Sequence, residues 1–120
     1  MELERIRSVF PDFQMEHFHM FDTITSLKWE NIFVCESGEE HKTLLLTLTS
    51  PDAYKIVLEF TDVHSLYFRG NRQISGFYIK DMSGRGYENA SKYEVGDYEE
   101  NEIAFYCSDV TVKEFFQYKI

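Results

Sequence analysis

The sequence predicts an all-β protein, namely an antiparallel β-sandwich or barrel of about eight strands with a short N-terminal helix. Short segments along the chain alternate apolar and polar side chains with the period of two that is typical of half-buried strands. The composition is rich in residues that favour strands, with 11 Phe and 8 Tyr. Because 43% of the 120 residues are hydrophobic, we expect one domain that spans residues 1–120.

The N-terminal residues have a different pattern from the rest of the chain. Leu3, Ile6 and Phe10 lie near helical spacing among charged residues, and Pro11 ends any helix before it. Residues 18–25 and 27–35 are β-rich in composition and predict the first two strands. Between the predicted strands that follow, no segment has room for a helix of ordinary length.

A β-hairpin over residues 43–60 is the clearest local prediction. Its two arms alternate in phase, and Leu46 and Leu58 belong to the apolar faces of the two arms. Between the arms, Pro51 and Asp52 stand where a type I turn favours them. We therefore expect two antiparallel strands, 43–49 and 54–60, with Leu46 and Leu58 in the core.

The same pattern continues to the end of the chain and accounts for the remaining strands. Two segments between the strands, residues 36–42 and 81–91, have the composition of loops and are predicted to be mobile. The further predicted strands cover residues 66–68, 74–79, 93–98 and 103–107, the last of which runs into residues 110–112.

Charge and composition exclude several classes of function. The net charge is −9, and neither half of the chain is basic, so a nucleic acid is not an expected partner. The acidic balance favours a basic partner, although it also serves solubility. No apolar run is long enough to span a membrane, and the acidic start does not resemble a signal peptide, which together predict a cytoplasmic protein. Cys35 and Cys107 each lie in an apolar run, so we expect buried free thiols; the alternative is a disulfide, which would require their two strands to be neighbours.

Motifs for catalysis are missing from the sequence. No Ser lies in a Gly-x-Ser-x-Gly motif, and neither Cys has the sequence context of a catalytic nucleophile. We therefore expect a protein that is not an enzyme and needs no cofactor. The alternative is a small metal-binding barrel or enzyme, because His17 and His19 would share one face of a strand. No third ligand can be identified, so we interpret the two residues as an accidental or solvent-facing pair.

The stretch from residue 93 to residue 102 is both acidic and rich in tyrosine, and it is the candidate partner-binding segment. Tyr is frequent in protein interfaces, and acidic residues there would attract a basic partner. A solvated hairpin turn and an aromatic core are competing explanations, since alternation does not tell which face of a strand is buried. Tyr87 and Tyr106 continue the same alternation outside this stretch. The candidate binding residues are Tyr93, Asp97, Tyr98, Glu99, Glu100 and Glu102.

Residues 57–66, 73–79 and 93–107 carry a resemblance to known proteins. Their order of strands and acidic turns resembles small, acidic bacterial proteins, some of which are similar to immunity proteins of polymorphic toxin systems. The resemblance covers about residues 43–112 and implies a cytosolic all-β domain that binds and blocks a cognate toxin. It carries no residue roles, because no binding motif at fixed positions is shared. The expected function is thus a protein-binding module, most concretely an immunity-type inhibitor whose partner is a basic toxin domain.

Overall fold

The computed structural model describes residues 1–84 and 91–118 and shows two antiparallel sheets of four strands each around one core. The first sheet has the order β1-β2-β3-β8, and the second has the order β4-β7-β6-β5. The predicted all-β fold of about eight strands with a short N-terminal helix is therefore confirmed. The strands are β1 Thr23–Val34, β2 Glu39–Thr49, β3 Tyr54–Thr61, β4 His64–Phe68, β5 Phe77–Asp81, β6 Tyr93–Asp97, β7 Ile103–Cys107 and β8 Asp109–Gln117.

Two short helical segments precede the first strand. The helix α1, Glu4–Arg7, buries Ile6 and confirms the predicted N-terminal helix. The second segment, Met15–Met20, is a 3-10 helix. The strand predicted over residues 18–25 is therefore wrong for residues 18–22, because β1 begins only at Thr23. With three residues per turn, a 3-10 helix directs Phe18 towards the core one turn before Phe21, and both side chains are fully buried. Core packing of these rings overrides the β propensity of the segment.

The strand β1 is a single long strand where two were predicted. A bulge lies between Ile24 and Ser26, and from there the pairing with β2 is regular to Val34. Cys35 follows the end of this strand and is exposed, which corrects the expectation that it is buried. Cys107 is a buried free thiol, as expected, and its burial raises the pKa of the thiol to about 12.

The predicted hairpin is confirmed by β2 and β3. Leu46 lies directly opposite Leu58, and both side chains are fully buried. The turn is closed by a hydrogen bond from the Ala53 amide to the Ser50 carbonyl at 3.1 Å, while the Ser50 hydroxyl accepts from the Tyr54 amide at 3.1 Å. The turn residues thus connect the strands in the register that the alternation predicts.

The two predicted loops have different outcomes. Residues 39–42 are the start of β2, so the connection after β1 is shorter than predicted and the expected loop over 36–42 is wrong for these residues. The loop was predicted over residues 81–91, but Asp81 is still the last residue of β5. Its carboxylate accepts a hydrogen bond from the Ser83 amide at 2.8 Å. Most of that loop, including Tyr87, lies outside the described residues.

The core fills the space between the sheets and thereby decides which face of the second sheet is left outside. Phe60 of the first sheet meets Phe105 of the second edge to face, with ring centroids 4.8 Å apart. The 3-10 helix closes one end of the core, where Phe18 contacts Phe77 at the start of β5. Because alternate residues of a strand point to opposite faces, the remaining side chains of the second sheet form an outer surface.

Candidate protein-binding face

The outer surface of the second sheet carries four tyrosines around two small residues. The strand register places Tyr78, Gly96, Ala104 and Tyr67 in one row across β5, β6, β7 and β4. Residues directly opposite each other in a sheet share a face, and the neighbours of these residues along the strands are buried or half-buried. We call this surface the tyrosine face; its residues are Tyr67, Tyr78, Lys80, Glu94, Gly96, Tyr98, Ala104, Tyr106 and His64.

Gly96 allows the Tyr78 ring to lie against the sheet. A Cβ atom at Gly96 would be 2.9 Å from the Tyr78 hydroxyl and 3.1 Å from the Ile103 carbonyl oxygen. Any side chain at this position would therefore push the Tyr78 ring outwards. The missing side chain at Gly96 is what leaves room for the Tyr78 ring.

Tyr98 is exposed and yet held in place from three sides. Its ring stacks on Tyr78 with centroids 4.0 Å apart and an angle of 18°, and the His19 ring meets it edge on at 6.0 Å. Gly76, at a φ of +76°, accepts a hydrogen bond from the Tyr98 amide at 3.1 Å. With 62% of its surface accessible, Tyr98 is a pre-ordered aromatic side chain that would lose little conformational freedom on contact with a partner.

Tyr78 is a hydrogen-bond donor at neutral pH. Burial raises its pKa to about 12, with further contributions from the nearby Glu94, Tyr98 and Tyr106 side chains. Its hydroxyl lies 3.5 Å from a Glu94 oxygen, to which it donates a long hydrogen bond. The Tyr78 phenol therefore places a donor beside the Glu94 carboxylate on this face, a chemistry suited to protein contacts.

At β4, the edge strand of the second sheet, the tyrosine face continues with a second aromatic pair, His64 and Tyr106. The His64 ring stacks on Tyr106 with centroids 5.7 Å apart and an angle of 20°. The two ring nitrogens of His64 lie within hydrogen-bonding distance of the Ser65 and Ser91 hydroxyls, at 3.4 and 3.1 Å. His64 is thus engaged by its neighbours and supports Tyr106 in the sheet.

Three of the six residues predicted for partner binding are exposed, and they are adjacent. Tyr98, Glu99 and Glu100 belong to the turn between β6 and β7, which we call the acidic turn, residues 98–101. The Glu99 carboxylate accepts a hydrogen bond from the Ser75 hydroxyl at 2.7 Å, and the Glu99 amide donates to the Ser75 carbonyl at 3.1 Å. The acidic turn is therefore anchored and continues directly from the tyrosine face.

The other three predicted residues, Tyr93, Asp97 and Glu102, are buried, with exposed fractions of 2%, 4% and 5%. Tyr93 lies in the core, and its burial raises the pKa of the phenol. Asp97 accepts hydrogen bonds from the amides of Glu102 and Ile103 at 2.8 and 3.0 Å, which closes the acidic turn from inside. These side chains support the turn and do not lie on its accessible surface.

Glu102 completes this internal support. Its carboxylate lies 4.0 Å from the Arg69 guanidinium and accepts a long hydrogen bond of 3.5 Å from Asn71. One oxygen each of Asp97 and Glu102 has no hydrogen-bond partner within the described part of the chain. Sequence alternation could not separate these buried acids from the exposed ones, because a turn interrupts the period of two.

Tyr67 and Tyr78 belong to the face and were not among the candidates taken from the sequence. The sequence signal that could have identified them is their position in alternating strands, where each tyrosine lies between two apolar residues. What the sequence lacks is the register that brings them into one row with Gly96. That register depends on the pairing of strands distant in the chain.

The expected shared face of His17 and His19 is corrected by the structure, because these residues lie on the 3-10 helix and not on a strand. His17 accepts a hydrogen bond from the Gln14 amide at 2.7 Å and packs on Phe10 and Phe13, whereas His19 contacts Tyr98. Among residues 1–84 and 91–118, no group of three or more His, Cys, Asp or Glu side chains is arranged to hold a metal ion.

Similarity to known proteins gives no indication of function, so a functional argument has to start from the fold and the tyrosine face. No protein-family model, no curated protein and no solved structure matches the chain. In the described residues, no helix has the length and apolar character needed to cross a membrane.

Proposed function

We propose that this protein is a non-catalytic protein-binding module that docks its partner on the tyrosine face and the acidic turn. The observation that carries the proposal is Tyr98, an aromatic side chain that is 62% exposed although Tyr78 and His19 hold its ring. Exposed aromatic rings with little freedom to lose are typical of residues that contribute most to binding. Glu99 and Glu100 extend beside it and select for a basic partner.

Charge and aromatic contacts have separate roles in the proposed mechanism. The net charge of −9 and the two acids of the turn accelerate the approach of a basic surface. After contact, Tyr98 and its neighbours exclude water and slow dissociation. Binding is thus steric and electrostatic, and no bond in the partner is made or broken.

The specific role that we propose is that of an immunity-type inhibitor acting in the cytosol. Residues 43–112 resemble small, acidic bacterial proteins, some of which are similar to immunity proteins, and this resemblance motivates the proposed role. A basic toxin cleft is the kind of surface that the acidic turn would occlude. Both cysteines are free thiols, as is common in a reducing compartment. The neighbouring gene is the simplest source of a candidate, since an inhibitor of this kind is encoded beside its toxin.

The first experiment captures partners from native lysate with the full chain and with Tyr98→Ala as the discriminating bait. A partner of the proposed face is retained by the parent chain and by Phe116→Ala, but is depleted with Tyr98→Ala. Phe116 is the matched control because it is also an exposed aromatic, 40% accessible, and lies on the other sheet. If every captured protein is insensitive to Tyr98→Ala, the face is wrong.

The second experiment measures binding kinetics with the captured partner. Reversing Glu99 and Glu100 to Lys should slow association about tenfold at low salt and reduce its salt dependence. Tyr98→Ala should speed dissociation about 30-fold if the ring is an anchor. The control is the reversal of Glu36 and Glu114, which changes the net charge equally at exposed positions in the turn after β1 and in β8. Equal slowing by both reversals would mean that only overall charge matters, and turnover of a substrate by the purified chain would refute the binding module itself.

A further inference from the structure

The strand β1 presents an edge whose outer side is largely unpaired. β1 lies at the end of the first sheet and pairs with β2 on one side only. On the other side, the Ile24 amide donates to the Arg72 carbonyl at 2.8 Å, and Thr23 forms a bridge to Gln73. From Ser26 to Val34, no strand of the described residues lies against this edge.

This free edge is largely apolar and has neither a Pro nor a bulge to prevent pairing. Trp29, Ile32 and Phe33 are 40%, 47% and 62% exposed. Edge strands in soluble proteins are commonly blocked by Pro, by a bulge or by several charges. Residues 26–34 contain no Pro and no bulge, and their only charges, Lys28 and Glu30, cancel. The segment therefore has a free edge that another strand could join.

We propose that the partner of this edge is a second copy of the same chain, paired antiparallel about a two-fold axis at Asn31. In that register Trp29 of each copy lies opposite Phe33 of the other, which gives two aromatic cross-strand pairs. Trp29 is opposite the core residue Leu44 in β2, and Phe33 lies four residues further along the strand, so both rings lie on the same face of the sheet.

Charge explains why a second copy fits this edge although the chain as a whole is strongly acidic. Residues 28–34 have no net charge, and the proposed register places Glu30 opposite Ile32, so that no like charges face each other. The interface joins two first sheets into one continuous sheet of eight strands. It lies on the other sheet from the tyrosine face, and it does not depend on the proposed function.

The oligomeric state is the first test. Sedimentation equilibrium of the full chain over a dilution series should show a monomer and dimer in exchange. Phe33→Lys should raise the dissociation constant about tenfold or more, because it removes both aromatic pairs and adds to the edge a Lys, a residue that commonly blocks edge strands. Phe116→Lys, on the opposite edge strand of the same sheet, should leave the dimer unchanged.

A cysteine cross-link tests the register. In a Cys35→Ser background, Asn31→Cys puts two thiols at the axis, where the Cα atoms of facing residues are about 4.5–5.5 Å apart and a disulfide can form. Lys28→Cys is the matched control on the same strand, since its two copies would lie six residues apart along the strand, about 20 Å. Mild oxidation should cross-link the Asn31→Cys variant and not the Lys28→Cys variant.

The outcomes decide between the proposal and its alternatives. A chain that stays monomeric at all concentrations, or a dimer that survives Phe33→Lys, would overturn the interface. A dimer that cross-links equally through Lys28→Cys and Asn31→Cys would overturn the register. Since Phe33 is exposed, circular dichroism of Phe33→Lys should match the parent chain and show that loss of the dimer is not loss of the fold.

Discussion

Replacing Asp97 by Ala should destabilise the protein more than any other single change in the candidate site. Asp97 ends β6, is 4% exposed, and accepts two backbone hydrogen bonds through one carboxylate oxygen, from the amides of Glu102 and Ile103. These bonds close the acidic turn at the point where the chain enters β7. Without the carboxylate, both buried amides lose the acceptor that Asp97 supplies.

The size of the effect follows from these two amides. Each buried donor that is left without an acceptor costs about 1–3 kcal/mol, which gives about 2–6 kcal/mol for the pair. The second carboxylate oxygen has no hydrogen-bond partner among the described residues, so its removal offsets part of this cost. We therefore expect a net loss of about 3 kcal/mol, a large share of a total stability of about 5–15 kcal/mol.

Urea denaturation followed by far-ultraviolet circular dichroism measures this loss. With a slope of about 2 kcal/mol per molar urea, the midpoint should fall by about 1.5 M. Asp97→Asn keeps one acceptor oxygen and should lose less than half as much, whereas Glu100→Ala in the exposed part of the turn should stay within about 0.5 kcal/mol. Asp97→Ala and Asp97→Asn variants of equal stability would refute the idea that these two hydrogen bonds hold the turn.

Three further predictions test the core and the tyrosine face. Leu46→Ala and Leu58→Ala should each lower the free energy of unfolding in urea by about 2–5 kcal/mol. The double variant should lose less than the sum, because the two residues lie opposite each other, and simple additivity would contradict that contact. Gly96→Ala should lower the free energy of unfolding by about 1–3 kcal/mol. Adding Tyr78→Phe should restore part of this loss, because it removes the hydroxyl that lies 2.9 Å from the new methyl group, and no recovery would contradict the close approach. Ultraviolet titration should find a phenol with a pKa near 12 that is lost in Tyr78→Phe. Because this folded pKa lies above the ordinary 10.0, the contribution of Tyr78 to stability should fall as the pH rises from 10 towards 12.

The elements that the sequence predicted correctly are those whose pattern is local. The hairpin of β2 and β3 is specified by alternation on both arms and by the residues of its turn, so Leu46 and Leu58 could be assigned to the core in advance. The short N-terminal helix follows in the same way from the spacing before Pro11. Where a residue's environment comes from distant parts of the chain, the pattern was insufficient, as with the 3-10 helix that packs Phe18 on Phe77.

By itself, then, the sequence determined the all-β class, the hairpin and the acidic character of the segment from residue 93 to residue 102. Only the tertiary structure decided that Tyr98, Glu99 and Glu100 are accessible while Tyr93, Asp97 and Glu102 are not. The physical reason is that a period of two separates the faces of a strand without telling which face another sheet will cover. The row of Tyr78, Gly96, Ala104 and Tyr67 likewise exists only through the pairing of four strands, because register is a property of the assembled sheet and not of any one segment.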